Sequence, residues 1–61
     1  MLFEYYENYL KITNYRQLKL LEDVKIVVDN LIIMGVNLKI ILINKDEIII
    51  KGSINNLTIG E

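Results

Sequence analysis

Few side chains in this sequence could carry out chemistry. Ser53 lies two residues after Lys51, so on a strand its hydroxyl would share a face with a lysine base. No further residue supports such a dyad, and we interpret both residues as surface positions. Histidine and cysteine are absent, which excludes histidine bases, cysteine nucleophiles, thiolate metal sites and disulfides. We therefore predict no catalytic residue and expect a protein that is not an enzyme.

Two pairs of adjacent acidic residues could exchange protons or bind a hard cation. Glu22-Asp23 and Asp46-Glu47 each lie at a predicted turn. Turns are polar because they are solvated, which explains both pairs without a ligand. The three glycines are too far apart for a glycine-rich phosphate loop. The sequence therefore predicts no metal-binding and no cofactor-binding residue.

One aromatic–basic pair, Tyr15-Arg16, could stack on a nucleotide base. The alternative function is therefore a small OB-like barrel that binds a nucleic acid or a small ligand through this pair. The net charge of −1 and the pI near 5.3 argue against a surface for phosphate backbones. We consider nucleic-acid binding unlikely.

The composition predicts one small domain, residues 1–61, of the all-β class. Twelve isoleucines and four valines, without alanine or proline, favour strands. Turn residues divide the chain into an antiparallel meander or roll of seven or eight short strands. These lie near residues 3–6, 9–13, 17–21, 24–29, 31–34, 38–43, 48–51 and 57–59. Residues 2–10 also fit helical spacing, so a short N-terminal helix is the alternative to the first strand.

Four residues are predicted as structural turns: Asn14, Gly35, Asn37 and Gly52. A repeated pattern surrounds the two glycines, because each follows four strand residues and precedes another apolar segment. This repeat could be a duplicated binding element. Alternatively, each glycine marks a bulge or bend at a sheet corner, which is the interpretation we favour.

The predicted strands are apolar on both faces, whereas a strand covered on one side alternates. One face can form the core, and the second face is then a candidate interface. Its residues are Val27, Ile32, Met34, Ile41, Ile43 and Ile49. Two explanations remain open: the N-terminal strands fold over this face, or another protein covers it. Because a domain this small without disulfide or metal is hard to stabilise, we expect association, most simply as a homo-oligomer.

Three segments together resemble the YabP/YqfC-like sporulation proteins. They are LKITNYR at residues 10–16, GVNLKI at residues 35–40 and NKDEIIIKGSI at residues 44–54. The first is similar to the opening strand and Asn-aromatic-Arg turn of that family. The others are similar to its Gly-x-Asn-Leu-x-Ile step and to its acidic turn, isoleucine strand and Gly-x-Ile ending. The similarity extends over about residues 9–59.

This resemblance implies a small β-rich protein of endospore-forming Firmicutes, made in the mother cell and linked to assembly of the spore envelope. Relatives tend to be encoded beside membrane proteins of the sporulation programme, and no catalytic residue is transferred from them. No apolar segment reaches the roughly 18 residues that a membrane span needs. We expect a non-enzymatic assembly or adaptor module. It would be cytoplasmic, at the mother-cell face of the forespore membrane, and would self-associate or dock on a membrane-protein partner.

Overall fold

The structure is a computed structural model that describes residues 1–60 and contains strands but no helix there. The strands are β1 (Leu2–Tyr5), β2 (Tyr9–Thr13), β3 (Leu18–Leu21), β4 (Lys25–Val28), β5 (Leu31–Ile43) and β6 (Glu47–Ile59). All pair antiparallel in one sheet of order β1-β2-β6-β5-β4-β3. The predicted all-β antiparallel class is confirmed, and the N-terminal segment forms a strand. The predicted domain also includes Glu61, which lies outside the described residues.

The number of strands is six, because two pairs of predicted strands are continuous. The predicted strands at 31–34 and 38–43 are the two halves of β5, and those at 48–51 and 57–59 belong to β6. The residues between them carry turn signals but do not end the strands. They mark a bend inside each strand.

The dimensions of the molecule require that bend. A regular strand of 13 residues would be about 40 Å long. The largest extent of the molecule is only 24 Å. The ladder between β5 and β6 accordingly shows register shifts at Met34/Gly35 and again between Val36 and Lys39. Such irregularities let paired strands turn a corner together.

Close backbone contact explains the glycines at the bend. A Cβ on Gly35 would lie 2.1 Å from the backbone oxygen of Ser53. That distance is too short for any residue with a Cβ atom to fit there. Gly52 has φ +136°, and a Cβ there would lie 2.7 Å from the oxygen of Asn37. Asn37 itself has φ 55°, a left-handed value that asparagine tolerates. The structure thus places both glycines where β5 and β6 cross the corner of the sheet.

The bend divides the sheet into two half-sheets of four strand segments each. The tip half-sheet contains β1, β2, residues 47–51 of β6 and residues 39–43 of β5. The base half-sheet contains β3, β4, residues 31–36 of β5 and residues 53–59 of β6. One core cluster draws buried side chains from both half-sheets: Leu10, Ile12, Ile26, Val28, Leu31, Ile33, Leu38, Ile48 and Ile50. The two half-sheets therefore pack face to face as a roll.

The connection between β2 and β3 closes this roll with four residues. The Tyr15 hydroxyl donates a hydrogen bond to the backbone oxygen of Asn44. The backbone N–H groups of Arg16 and Gln17 donate to the Asp29 carboxylate, at 3.0 and 2.8 Å. Because Asp29 precedes β5 and Asn44 follows it, both ends of β5 lie within reach of one short segment. The two ends of β5 can come this close only because the strand bends along its length.

Candidate interaction surface

The exposed strand β1 is the most unusual element of the surface. It pairs with β2 in a regular ladder that sets Phe3 opposite Ile12 and Tyr5 opposite Leu10. Residues opposite each other share a face, so Phe3 and Tyr5 point toward the core side. Ile12 and Leu10 are fully buried, yet Phe3 is 37% and Tyr5 58% exposed. β1 therefore extends beyond the half-sheet that covers β2.

A tight hairpin fixes the position of β1. The backbone N–H of Tyr6 donates to the oxygen of Tyr9 at 2.8 Å, and the two rings stack with centroids 4.7 Å apart. Because hydrogen-bonded pairs alternate along an antiparallel ladder, Glu4 belongs to the next bonded pair. The N–H groups of Phe3 and Tyr5 consequently point away from β2, toward the open edge.

The charges near β1 leave one carboxylate without an ion pair. Lys11 lies opposite Glu4, but its ammonium Nζ is 3.2 Å from Glu47 Oε2. The hydrogen bond from Lys11 to Glu47 raises the pKa of that lysine. The negative charge of Glu4 raises the pKa of the Tyr6 phenol. Within residues 1–60, Glu4 forms no ion pair of its own.

An open groove of about 240 Å³ separates β1 from the base half-sheet. Its walls are Tyr5 on one side and Ile54, Asn55, Asn56 and Leu57 of β6 on the other. β2 pairs only with residues 47–51 of β6, so the second half of β6 has β5 as its single strand neighbour. Nothing in this groove is charged.

Four strand edges are unpaired in residues 1–60, and they differ in charge. β1 carries only Glu4, and β3 carries only Lys19. The second half of β5 carries Lys39, and at the bend just before it the Leu38 N–H donates to the oxygen of Asp23 at 2.8 Å. Residues 53–59 of β6 carry no charge. The two terminal strands of the sheet are thus oppositely charged.

The six predicted interface residues fall on different surfaces, because the sheet is folded. Val27 and Ile32 lie opposite each other on the outer face of the base half-sheet, with Met34 two residues further along β5. The other three residues belong to the tip half-sheet. Ile49 lies opposite Lys11 on its outer face, Ile43 lies opposite the buried Ile48, and Ile41 lies at a register shift.

The sequence contains one signal for the exposure of β1. Leu2, Phe3 and Tyr5 place apolar side chains on both faces of one short segment. β5 is also apolar on both faces. Covering the second apolar face with the N-terminal strands was one of two explanations left open, since periodicity alone does not reveal which strand lies at an edge. The sheet order supplies that information.

The two residues of the predicted stacking pair, Tyr15 and Arg16, have different surroundings. Tyr15 is half-buried against the core cluster, and its hydroxyl is bonded to Asn44, whereas Arg16 is exposed. Stacking on a base would require the tyrosine ring to leave that packing contact. No observation therefore favours the OB-like binding function.

The predicted turn residue Asn14 has φ 57°, and its N–H donates to the oxygen of Asp46 at 3.0 Å. Lys51 and Ser53, the residues considered for a dyad, are both exposed on either side of the bend residue Gly52. In residues 1–60 no three carboxylates are grouped so that they could hold a metal ion. The same residues include no helix that could cross a membrane.

No protein-family model, curated protein or solved structure matches this chain.

Proposed function

We propose that this protein is a non-enzymatic assembly or adaptor module of endospore formation. It would act in assembly of the spore envelope, from the mother-cell cytoplasm at the forespore membrane. The resemblance of residues 9–59 to the YabP/YqfC-like family supports the sporulation context. The exposure of β1 supports a role in contacts with another protein.

The energetics of β1 carry the proposal. Ordering a strand costs roughly 1–2 kcal/mol per residue in conformational entropy. β2 offsets that cost by burying Leu10 and Ile12 completely, whereas all four side chains of β1 are exposed. Three of those four are apolar. Covering them with another protein would supply the burial that β1 lacks within its own chain.

A second apolar patch is available for a different partner. It consists of Val27, Ile32 and Met34 on the outer face of the base half-sheet. A module with two separate apolar surfaces can self-associate through one and dock on a membrane protein through the other. The predicted interface residues Ile41, Ile43 and Ile49 lie on the tip half-sheet, Ile49 on β6 and the other two on β5 at the edge opposite β1.

Sedimentation velocity over a range of concentrations tests the self-association. We expect the mass to increase with concentration and Leu2→Ser to weaken that increase. Ile59→Ser is the matched control, because Ile59 and Leu2 are both 58% exposed but only Leu2 lies on β1. Equal effects of the two substitutions would show that general surface apolarity, and not β1, drives association.

The sporulation context needs its own test in the source bacterium. Deletion of the gene should lower the yield of heat-resistant spores while vegetative growth stays normal. A fluorescent fusion should collect at the forespore boundary in the mother cell. Normal spores from the deletion strain, with the fusion spread evenly through the cell, would contradict the proposed function.

A further inference from the structure

We propose that copies of this protein assemble head to tail, with β1 of one copy pairing antiparallel with β3 of the next. This inference rests on the proposed self-association and specifies its partner and its contact. It follows from the free edges, side chains and charges of the two terminal strands.

The two terminal strands are different edges of one sheet, so such a chain can continue. The sheet has six strands in the order β1-β2-β6-β5-β4-β3. Because the sheet bends between its two half-sheets, β1 and β3 lie on opposite sides of that bend. A second copy that is rotated to match the bend presents its β1 antiparallel to β3 of the first. Each copy would use one edge of each kind, so the contact is heterologous and builds a chain or a ring.

The side chains of the two edges are similar in length and polarity. Both strands have four residues and are mostly apolar. On β3, Leu18 and Leu21 lie opposite the buried Val28 and Ile26, so they point to the core side like Phe3 and Tyr5. Leu21 is 54% exposed. Pairing the edges would cover aromatic side chains of one copy with leucines of the next.

The charges select this pairing over the alternatives. At the register shift of β3, Lys19 is the extra residue between Leu18 and Leu20. When Tyr5 pairs with Leu18 and Phe3 with Leu21, Glu4 lies beside Lys19. Pairing of β1 with another β1, or of β3 with another β3, would instead bring two like charges into one short ladder, which is unfavourable.

The backbone groups needed for the contact are free. The N–H groups of Phe3 and Tyr5 point away from β2, as the alternation from the Tyr6–Tyr9 pair requires. β3 is the last strand of the sheet, so its outer edge has no neighbour within residues 1–60. A copy of β1 can therefore donate to that edge without displacing an existing hydrogen bond.

A lysine within a bulge is also a common device for keeping an edge strand unpaired. The two roles of Lys19 predict opposite results for the neutral variant Lys19→Thr. If Glu4 of the next copy binds this lysine, Lys19→Thr weakens assembly. If the lysine protects the edge, the same variant strengthens assembly, and that result would overturn the inference.

The decisive experiment is a charge exchange followed by sedimentation velocity at low salt. Glu4→Lys alone and Lys19→Glu alone should each weaken assembly by roughly five- to tenfold, because an attractive exposed pair becomes repulsive. An equimolar mixture of the two variants should recover assembly, since copies of the two variants that alternate along the chain join opposite charges at every junction. Lys45→Glu, in the turn between β5 and β6, is the control for net charge and should leave assembly unchanged.

The outcomes separate the inference from the proposed function. Assembly of the wild type that neither single variant weakens, or that the mixture fails to restore, would overturn the β1–β3 contact and leave self-association in place. A wild type that stays monomeric at every concentration would overturn both the contact and self-association. Circular dichroism of each variant confirms that the fold is retained.

Discussion

Strands β1 and β2 are neighbours with similar sequences and opposite surroundings. Both place two apolar side chains toward the core side, in register with each other. β2 has β6 as a second neighbour and lies over the opposing half-sheet, so its two residues are completely buried. β1 has neither, and its residues remain exposed. Position in the sheet, and not apolarity, decides which strand stabilises the fold and which is available to a partner.

The largest difference in stability should appear when the two members of one cross-strand pair are truncated in separate variants. Ile12→Ala removes a buried side chain and should lower the free energy of unfolding by about 3 kcal/mol. Phe3→Ala, at the opposite position of β1, should lower it by less than about 1 kcal/mol in dilute solution. Urea denaturation at a concentration where the protein is monomeric measures both values. Equal losses would mean that β1 belongs to the core.

Much of the fold could be predicted because local residue types determine it. Twelve isoleucines favour strands, and asparagines and glycines mark the places where the chain turns. The eight predicted segments correspond to the eight segments of the two half-sheets. The continuity of β5 and β6 was missed, since Gly35 and Gly52 give the same signal for a bend as for a turn.

The candidate surface could be predicted only in part. Val27, Ile32 and Met34 share a face because local alternation is enough to place them. Ile49 was grouped with them, although the fold of the sheet moves it to the other half-sheet. That separation depends on contacts between residues far apart in the chain, such as those of Asp29 with the segment at 16–17. Sequence periodicity contains no information about them.

The closure of the roll at Asp29 offers the next largest effect, because it holds β2 over the opposing half-sheet. Asp29→Ala removes the acceptor for the N–H groups of Arg16 and Gln17 and places alanine at φ 53°. We expect a loss of about 2 kcal/mol by thermal or urea denaturation. Asp29→Asn is the control, because it keeps an acceptor oxygen and tolerates the positive φ. A loss as large for asparagine as for alanine would contradict this role of the carboxylate.

A smaller effect is expected at Tyr15, on the same closure. Tyr15→Phe keeps the ring against the core and removes the hydroxyl that donates to Asn44. The expected loss is about 1 kcal/mol, the usual net contribution of one hydrogen bond. The melting curves of Tyr15→Phe and of the wild type measure this loss. A Tyr15→Phe protein as stable as the wild type would show that the contact does not hold the roll closed.

The smallest effect concerns the ion pair between Lys11 of β2 and Glu47 of β6. The hydrogen bond to Glu47 raises the pKa of Lys11 above its ordinary value of 10.5. A raised pKa in the folded state favours the protonated form, so the contribution is complete below pH 10.5 and is lost as the pH rises through the raised value. Glu47→Gln should remove this loss from the alkaline stability profile. An unchanged profile in the variant would show that the pair contributes nothing.

Amide hydrogen exchange, measured at two protein concentrations, tests the contrast between β1 and β2 most directly. In dilute solution the N–H groups of Phe3 and Tyr5 should exchange rapidly, because they point to an open edge, while those of Leu10 and Ile12 should be protected by β6. At high concentration the β1 amides should become protected together with the amides at the outer edge of β3, and the β2 amides should not change. Rapid exchange of Phe3 and Tyr5 at both concentrations, in a protein that does associate, would contradict the account.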